Sequence, residues 1–149
     1  MSDLINGVES ISLKIIPLVG GDVLHVMKDI DRGFFGFGEI YFSEINQGFI
    51  KGWKKHSEMV MNLIIPKGEV KIVVFDDRDG SSTKGIFNEF ILSRDKNYMR
   101  VSIAPGLWVA FQGIGKGTSQ VMNFASIRHC PKEVEGKSLK EIKYDWGRL

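Results

Sequence analysis

Residues 59–75 of the chain read Met-Val-Met-Asn-Leu-Ile-Ile-Pro-Lys-Gly-Glu-Val-Lys-Ile-Val-Val-Phe. The stretch contains two runs of apolar and β-branched residues, 59–65 and 69–75, joined by Pro-Lys-Gly. Branched side chains favour strands and Pro-x-Gly favours a turn, so the stretch predicts two consecutive strands. In the first run, apolar residues occupy both the odd-numbered and the even-numbered positions. This predicts a strand buried on both faces, as in a barrel wall that also makes a subunit contact.

Further strand patterns extend outward from this pair in both directions. Seventeen glycines are spread along the chain, which suits short strands joined by tight turns. The one helical pattern lies near the end, at residues 138–142. The other predicted strands are 8–16, 22–27, 34–43, 49–54, 87–92, 98–103, 107–112 and 119–125. Many short strands at even spacing predict an all-β sandwich or barrel with a short C-terminal helical segment.

Length, composition and charge narrow the class of protein. The 149 residues predict one domain, 1–149, and 43% hydrophobic with 26% charged residues is typical of a soluble globular protein. No apolar run is long enough to span a bilayer, and a net charge of +2 favours neither nucleic acid nor membrane as a partner. The N-terminal residues show no secretory leader, and the single cysteine, Cys130, has no partner for an internal disulfide. We therefore expect a cytoplasmic protein.

Four segments near these two strands form a recognisable pattern. Residues 48–54 read Gly-Phe-Ile-Lys-Gly-Trp-Lys; 68–70 read Gly-Glu-Val and lead into 76–85, Asp-Asp-Arg-Asp-Gly-Ser-Ser-Thr-Lys-Gly. Residues 103–111 read Ile-Ala-Pro-Gly-Leu-Trp-Val-Ala-Phe, and 129–135 contain His-Cys-Pro followed by Glu135. In order and spacing these segments resemble the dTDP-4-dehydrorhamnose 3,5-epimerase family, a branch of the cupin superfamily. The last segment is the weakest of the four.

This resemblance implies a fold and a function. The expected fold is the cupin double-stranded β-helix, a jelly-roll barrel. The expected function is a nucleotide-sugar epimerase or isomerase that acts on a dTDP-4-keto-6-deoxyhexose in surface polysaccharide biosynthesis. The resemblance implies a homodimer, a small-molecule nucleotide sugar as partner, and no cofactor, because the ketone of the substrate stabilises the carbanion.

The catalytic positions of the family are substituted in this chain. Lys54 matches the general-base histidine of the family, Met61 its active-site lysine, and Asn123 its catalytic tyrosine; the aspartate that pairs with the histidine has no match. His56 resembles the second histidine of the His-x-His found in the dTDP-sugar 3,4-ketoisomerases. Lys54 and His56 are therefore the candidate catalytic residues. Strand alternation places them on one face, with Lys51 on the other unless the chain bulges at Gly52.

The resemblance also implies a set of substrate-binding residues. Lys51 stands for a family arginine, and His129 stands for a tyrosine. Asn123 lines the same site, and Trp108 would stack on a base or a sugar ring. The full predicted binding set is Lys51, Asp76, Arg78, Trp108, Asn123 and His129.

Structural roles remain open for most of these residues. The lysine cluster 51–55 also fits a solvated face, Trp108 also fits the core, and Asp76 with Arg78 also fits an internal ion pair that holds a loop. A non-catalytic nucleotide-sugar or carbohydrate binding cupin is the alternative function. A purely structural interaction protein is a third, and it predicts that no polar residues converge inside the barrel.

Two other motifs do not support a function. Residues 113–118, Gly-Ile-Gly-Lys-Gly-Thr, have the composition of a phosphate loop but lack the required preceding glycine and a following helix. Metal-binding cupins gather histidines and a glutamate from two strands, and Lys54 and Val109 occupy the matching positions here. We expect no metal site.

Overall fold

The computed structural model describes residues 3–147 and is all-β, as predicted. Its strands are β1 (Val8–Ser12), β2 (Ile15–Ile16), β3 (Val23–Leu24), β4 (Glu39–Asn46), β5 (Ile50–His56), β6 (Met61–Lys67), β7 (Glu69–Phe75), β8 (Phe87–Ser93), β9 (Met99–Ile103), β10 (Trp108–Gly113), β11 (Thr118–Ala125) and β12 (Val134–Lys137). The predicted first strand divides into β1 and β2, and β12 has no counterpart among the predicted strands.

Two five-stranded antiparallel sheets form the barrel. The first sheet has the order β1-β9-β6-β11-β4, and the second has the order β12-β5-β10-β7-β8. Strands adjacent in sequence, such as β4 and β5 or β6 and β7, lie in different sheets, which is typical of a jelly roll. The short strands β2 and β3 form a separate hairpin, and Gly20 and Gly21 lie between them. The predicted cupin-type fold is confirmed.

Strand alternation decides which side chains face the space between the sheets. On β7, Ile72 and Val74 join the main core, whereas Val73 belongs to a second cluster on the outer face of the sheet. On β10, Val109 faces inward and Trp108 faces outward. The barrel interior and the outer face of the second sheet are therefore two separate apolar layers.

The C-terminal segment, residues 138–147, covers the outer face of the second sheet. Ile142 and Trp146 pack on Trp53, and the Trp53 indole donates a hydrogen bond to the Ile142 carbonyl at 3.1 Å. The predicted helix at 138–142 is wrong in position: these residues form a turn, and the short helical segment is a 3-10 helix at Pro131–Glu133. A five-residue segment forms too few helical hydrogen bonds to offset the free energy of helix nucleation. Here the chain packs against the sheet instead.

The strand β6 is buried on both faces, as its apolar pattern predicts, but the same chain covers the second face. Asn62 points outward and donates to the Gly33 carbonyl at 2.9 Å. The buried Arg100 guanidinium donates to Asn62 Oδ1 at 2.8 Å and to the carbonyls of Val26 and Arg32. Residues 26–33 are therefore held against this face, and its burial needs no partner subunit.

Candidate functional site

A small cavity lies between the two sheets. Its volume is about 180 Å³. The polar groups of the lining come from β4, β5 and β11, and the floor is apolar. The polar lining residues are Tyr41, Ser43, Lys51, Lys54, His56 and Asn123, and the apolar ones are Met61, Leu63, Val109, Phe111 and Val121. Polar residues thus converge inside the barrel, contrary to the prediction made by the hypothesis of a purely structural interaction protein.

A bulge in β5 brings three basic residues to this cavity. Lys54 pairs with Val109 of β10, whereas Lys51 pairs with Phe111, so two residues of β5 lie opposite one residue of β10. This extra residue reverses the alternation, and Lys51 therefore shares the inward face with Lys54 and His56. The bulge falls at Gly52 and Trp53, where the sequence allows for one.

A buried histidine–glutamate pair forms one wall of the cavity. His56 ends β5, and its Nδ1 hydrogen-bonds the Oε1 atom of Glu133, which is also buried. Within residues 3–147, the other ring nitrogen, Nε2, has no hydrogen-bond partner. A carboxylate at Nδ1 holds the proton on that atom and leaves the Nε2 lone pair free on the cavity side. This is the arrangement of a general base.

Backbone groups stabilise the negative charge of Glu133. Its Oε2 accepts hydrogen bonds from the backbone N–H groups of Glu58 and Met59, at 3.1 and 3.2 Å. Burial by itself raises the pKa of Glu133. The hydrogen bonds from His56, Glu58 and Met59 together outweigh it, so the pKa lies below the usual value for a glutamate. Glu133 is therefore a carboxylate at neutral pH.

Sequence reasoning did not identify Glu133. The 3-10 helix Pro131–Glu133 and the strand β12 after it place this residue next to the end of β5. The glutamate of this segment that resembles the family pattern is Glu135, which is exposed and lies two residues further on. The usable signal was the proline, which starts a short helical turn and so sets the direction of the residues that follow.

Tyr41 and Asn123 face the same cavity from the first sheet. They are direct cross-strand partners on β4 and β11. The buried Asn123 amide donates from Nδ2 to the Tyr41 hydroxyl oxygen at 3.0 Å, while its Oδ1 accepts from the Asn62 N–H at 3.2 Å. The Asn123 side chain is thus held by the backbone of the adjacent strand β6. It fixes the position of the tyrosine hydroxyl in the cavity.

Asp76 and Arg78 lie outside the cavity, in the loop between β7 and β8. The fully buried Asp76 carboxylate accepts two hydrogen bonds from the Arg78 guanidinium at 2.9 Å, and the hydroxyls of Ser81 and Thr83 each donate to it at 2.7 Å. Arg78 also donates to the Asn6 carbonyl at 2.6 Å. This network shapes the loop and ties it to the N-terminal segment.

The Asp76 network predicts a specific acid sensitivity. The hydrogen bonds from Arg78 hold the pKa of Asp76 well below its usual range. The unfolded value is near 3.9, so the stabilisation is complete above about pH 5 and is lost as the pH falls below about 4. The free energy of unfolding is measured with urea from pH 7 down to pH 3 and plotted against pH. At the acid end of this range, the slope of the plot for wild type should exceed the slope for Asp76→Asn by up to one proton, or about 1.4 kcal/mol per pH unit. Asp79→Asn, at an exposed ion pair, is the control; equal slopes in wild type and Asp76→Asn would contradict the prediction.

Two further predicted binding residues also lie away from the cavity. Trp108 is fully buried on the outer face of the second sheet, where its indole N–H donates to Asp77 Oδ2 at 2.8 Å. The ammonium groups of Lys55 and Lys137 lie 4.7 and 4.9 Å from its ring centroid. His129 is exposed, and its backbone N–H donates to Glu39. The structure therefore brings together Lys51, Lys54, His56 and Asn123 of the predicted set, but not Asp76, Arg78, Trp108 or His129.

Within residues 3–147 no group of three or more His, Cys, Asp or Glu side chains is placed to hold a metal ion. The same part of the chain contains no helix with the length and apolar character needed to cross a membrane.

Known proteins similar to this chain include sugar-nucleotide enzymes. No family model matches the sequence. The crystal structure of a dTDP sugar isomerase from Desulfovibrio desulfuricans G20 is 34% identical, with a TM-score of 0.91 over 95% of this chain and 92% of that one. A probable low-salt glycan biosynthesis epimerase, Agl13 of Haloferax volcanii, is 26% identical over 106 residues, 70% of this chain and 65% of the relative. The spore coat polysaccharide biosynthesis protein SpsL of Bacillus subtilis is 25% identical over 144 residues, 85% of this chain and 95% of the relative.

Proposed function

This chain belongs to the dTDP-sugar isomerase and epimerase family of the cupins, and on that premise we propose that it moves a proton in a dTDP-linked 4-keto-6-deoxyhexose. The observation that carries the proposal is the state of His56. Its ring is buried at the cavity, Nδ1 is held by Glu133, and Nε2 is free. A nitrogen base fixed in this way is suited to remove a proton from carbon.

The cavity and its charges fit the sugar end of such a substrate. Its volume of about 180 Å³ is below the roughly 300–1,000 Å³ of pockets that enclose a drug-sized ligand, so the sugar enters and the nucleotide stays outside. Lys51 and Lys54 are exposed at the mouth, where their ammonium groups would meet the diphosphate. The apolar floor, which includes Met61 and Leu63, suits a sugar that carries a methyl group at C6.

The proposed step needs only groups of the chain and of the substrate. The ketone acidifies the hydrogens on the neighbouring carbons. His56 Nε2 takes one of these protons, the electron pair of the broken C–H bond forms a C=C bond, and the ketone oxygen receives the displaced π pair. The resulting enolate is stable enough to form without a cofactor, and protonation on a carbon or oxygen atom completes an epimerisation or isomerisation.

The non-catalytic alternative is less well supported. A binding module requires cations at the mouth but not a buried base. His56 and Glu133 are both buried, which costs stability unless the pair is well hydrogen-bonded, and such pairs are concentrated at functional sites. One similar protein of known structure, from Desulfovibrio desulfuricans G20, is a dTDP sugar isomerase.

We also propose a setting and an assembly. The two curated relatives are named for glycan and spore coat polysaccharide biosynthesis, and the proposed setting here is surface polysaccharide synthesis in the cytoplasm. A homodimer is supported by a group of exposed apolar side chains on and beside the edge strand β4. These side chains are Phe35, Phe37, Ile40, Phe42 and Phe49. Sedimentation analysis would then show the protein as a dimer.

The proposed function is tested by hydrogen exchange into the sugar. The protein is incubated in D2O with dTDP-4-keto-6-deoxyglucose, and deuterium at C3 and C5 is measured by NMR and mass spectrometry. We expect enzyme-dependent exchange at one or both carbons, together with an isomeric product. In parallel, calorimetry with dTDP measures binding. Tight binding of dTDP without any exchange would overturn the enzymatic proposal and favour the binding module.

A further inference from the structure

Tyr41 presents an unused hydroxyl proton to the cavity. The Asn123 amide donates to the Tyr41 oxygen, so that oxygen acts as the acceptor in this contact. Within residues 3–147 the Tyr41 O–H makes no hydrogen bond of its own. The hydroxyl is fixed by Asn123 while its proton remains available to a ligand.

Tyr41 and His56 lie on opposite walls of the cavity. Tyr41 is on β4 of the first sheet and His56 is on β5 of the second, and these strands are joined by the turn at residues 47–49. Both residues are near the strand ends far from this turn, so they lie at a similar level of the barrel. Both line the cavity. A sugar ring between them would have the base on one side and the hydroxyl on the other.

We propose that Tyr41 is the proton donor of the reaction, and that its position opposite His56 makes the reaction an inversion at carbon. The inference rests on the proposed function. His56 Nε2 takes the proton from the carbon beside the ketone, and the enolate forms. The Tyr41 O–H then delivers its proton to the same carbon from the other side as the C=O bond re-forms. His56 is left as imidazolium and Tyr41 as phenolate, and solvent at the open mouth returns a proton from the first to the second.

The residue is not one that the family pattern supplies. The position that matches the catalytic tyrosine of the family is Asn123, whose amide cannot act as a proton donor of this kind. Asn123 instead holds a tyrosine from the neighbouring strand. The hydroxyl is therefore displaced by one strand, and Asn123 becomes a positioning residue.

The test separates proton removal from proton delivery. In D2O, wild type should give both exchange and inverted product. Tyr41→Phe should still exchange the proton, within about threefold of wild type, because His56 can return a deuteron from its own side, but inverted product should fall at least about 100-fold. Asn123→Ala should lower the ratio of product to exchange in the same direction. Tyr144→Phe, which removes a hydroxyl bound to Glu89 on the outer face, is the matched control and should behave as wild type.

Each other outcome has a defined meaning. Wild-type levels of inverted product from Tyr41→Phe would overturn the inference. So would loss of exchange together with product in a folded variant that still binds dTDP, because Tyr41 would then be needed for proton removal. Exchange in wild type without an inverted product would also overturn it. No exchange in the wild type would instead refute the proposed function.

Discussion

Replacing His56 with asparagine is expected to lower kcat by about 10³-fold and to abolish deuterium exchange, while dTDP binding is retained. A positioned general base contributes roughly 10²–10⁴-fold to such reactions. The asparagine amide can still donate to the buried Glu133 carboxylate, so the fold should survive. Time-course NMR assays measure product formation and deuterium exchange, and calorimetry measures dTDP binding separately.

Lys54 is the other candidate base, and the same assays distinguish it from His56. The Lys54 side chain is exposed at the cavity mouth, and its ammonium group makes no hydrogen bond within residues 3–147. Lys54→Met should therefore weaken dTDP binding about tenfold, with an increased KM, and keep most of kcat and exchange. The matched control for His56→Asn is His25→Asn, which removes an imidazole next to β3 of the β2–β3 hairpin. If Lys54→Met abolishes exchange and His56→Asn does not, Lys54 is the base.

Much of the fold follows from local sequence patterns. The two apolar runs at 59–65 and 69–75 form strands because branched side chains on both parities can be buried only inside a sheet with cover on each face. The strand β12 was not predictable in this way. Residues 134–137, Val-Glu-Gly-Lys, are largely exposed, and they pair with β5 through backbone hydrogen bonds that leave no apolar pattern in the sequence.

The site was only partly predictable, for reasons of register. Lys51 reaches the cavity because of the β5 bulge, and a sequence can allow a bulge without requiring it. Trp108 fails to reach the cavity because its neighbour Val109 takes the inward position. Glu133 and Tyr41 contact His56 and Asn123 across 77 and 82 residues of chain, so no local pattern links them.

Asp76 and Arg78 show how one motif supports two readings. The residues match the family pattern, and in this structure the pair forms a buried network that holds a loop and the N-terminal segment. A motif of this kind predicts a local conformation well, because carboxylate, guanidinium and hydroxyl groups must satisfy one another when buried. It predicts contact with a ligand less well, because these polar groups already have hydrogen-bond partners within the protein.

Replacing Glu133 with glutamine is expected to lower kcat by about 10²–10³-fold with little change in KM. The carboxylate accepts the Nδ1 proton of His56 and so leaves Nε2 as a base; a glutamine amide can donate to Nδ1 and favour the tautomer with the proton on Nε2. Nitrogen NMR of the His56 ring should therefore show the proton on Nδ1 in wild type and on Nε2 in Glu133→Gln, a change that a purely structural role would not produce.

The control for this prediction is Glu135→Gln, which changes an exposed carboxylate on β12, two residues away, and should leave both kcat and the tautomer unaltered. Glu133→Gln should also lower the free energy of unfolding by roughly 1–3 kcal/mol, because the Glu58 and Met59 N–H groups lose a charged acceptor. Assays are therefore run well below the melting temperature of the variant. An unchanged kcat with the tautomer reversed would show that His56 acts through neither nitrogen as a base, and that the proton is moved by another group of the cavity.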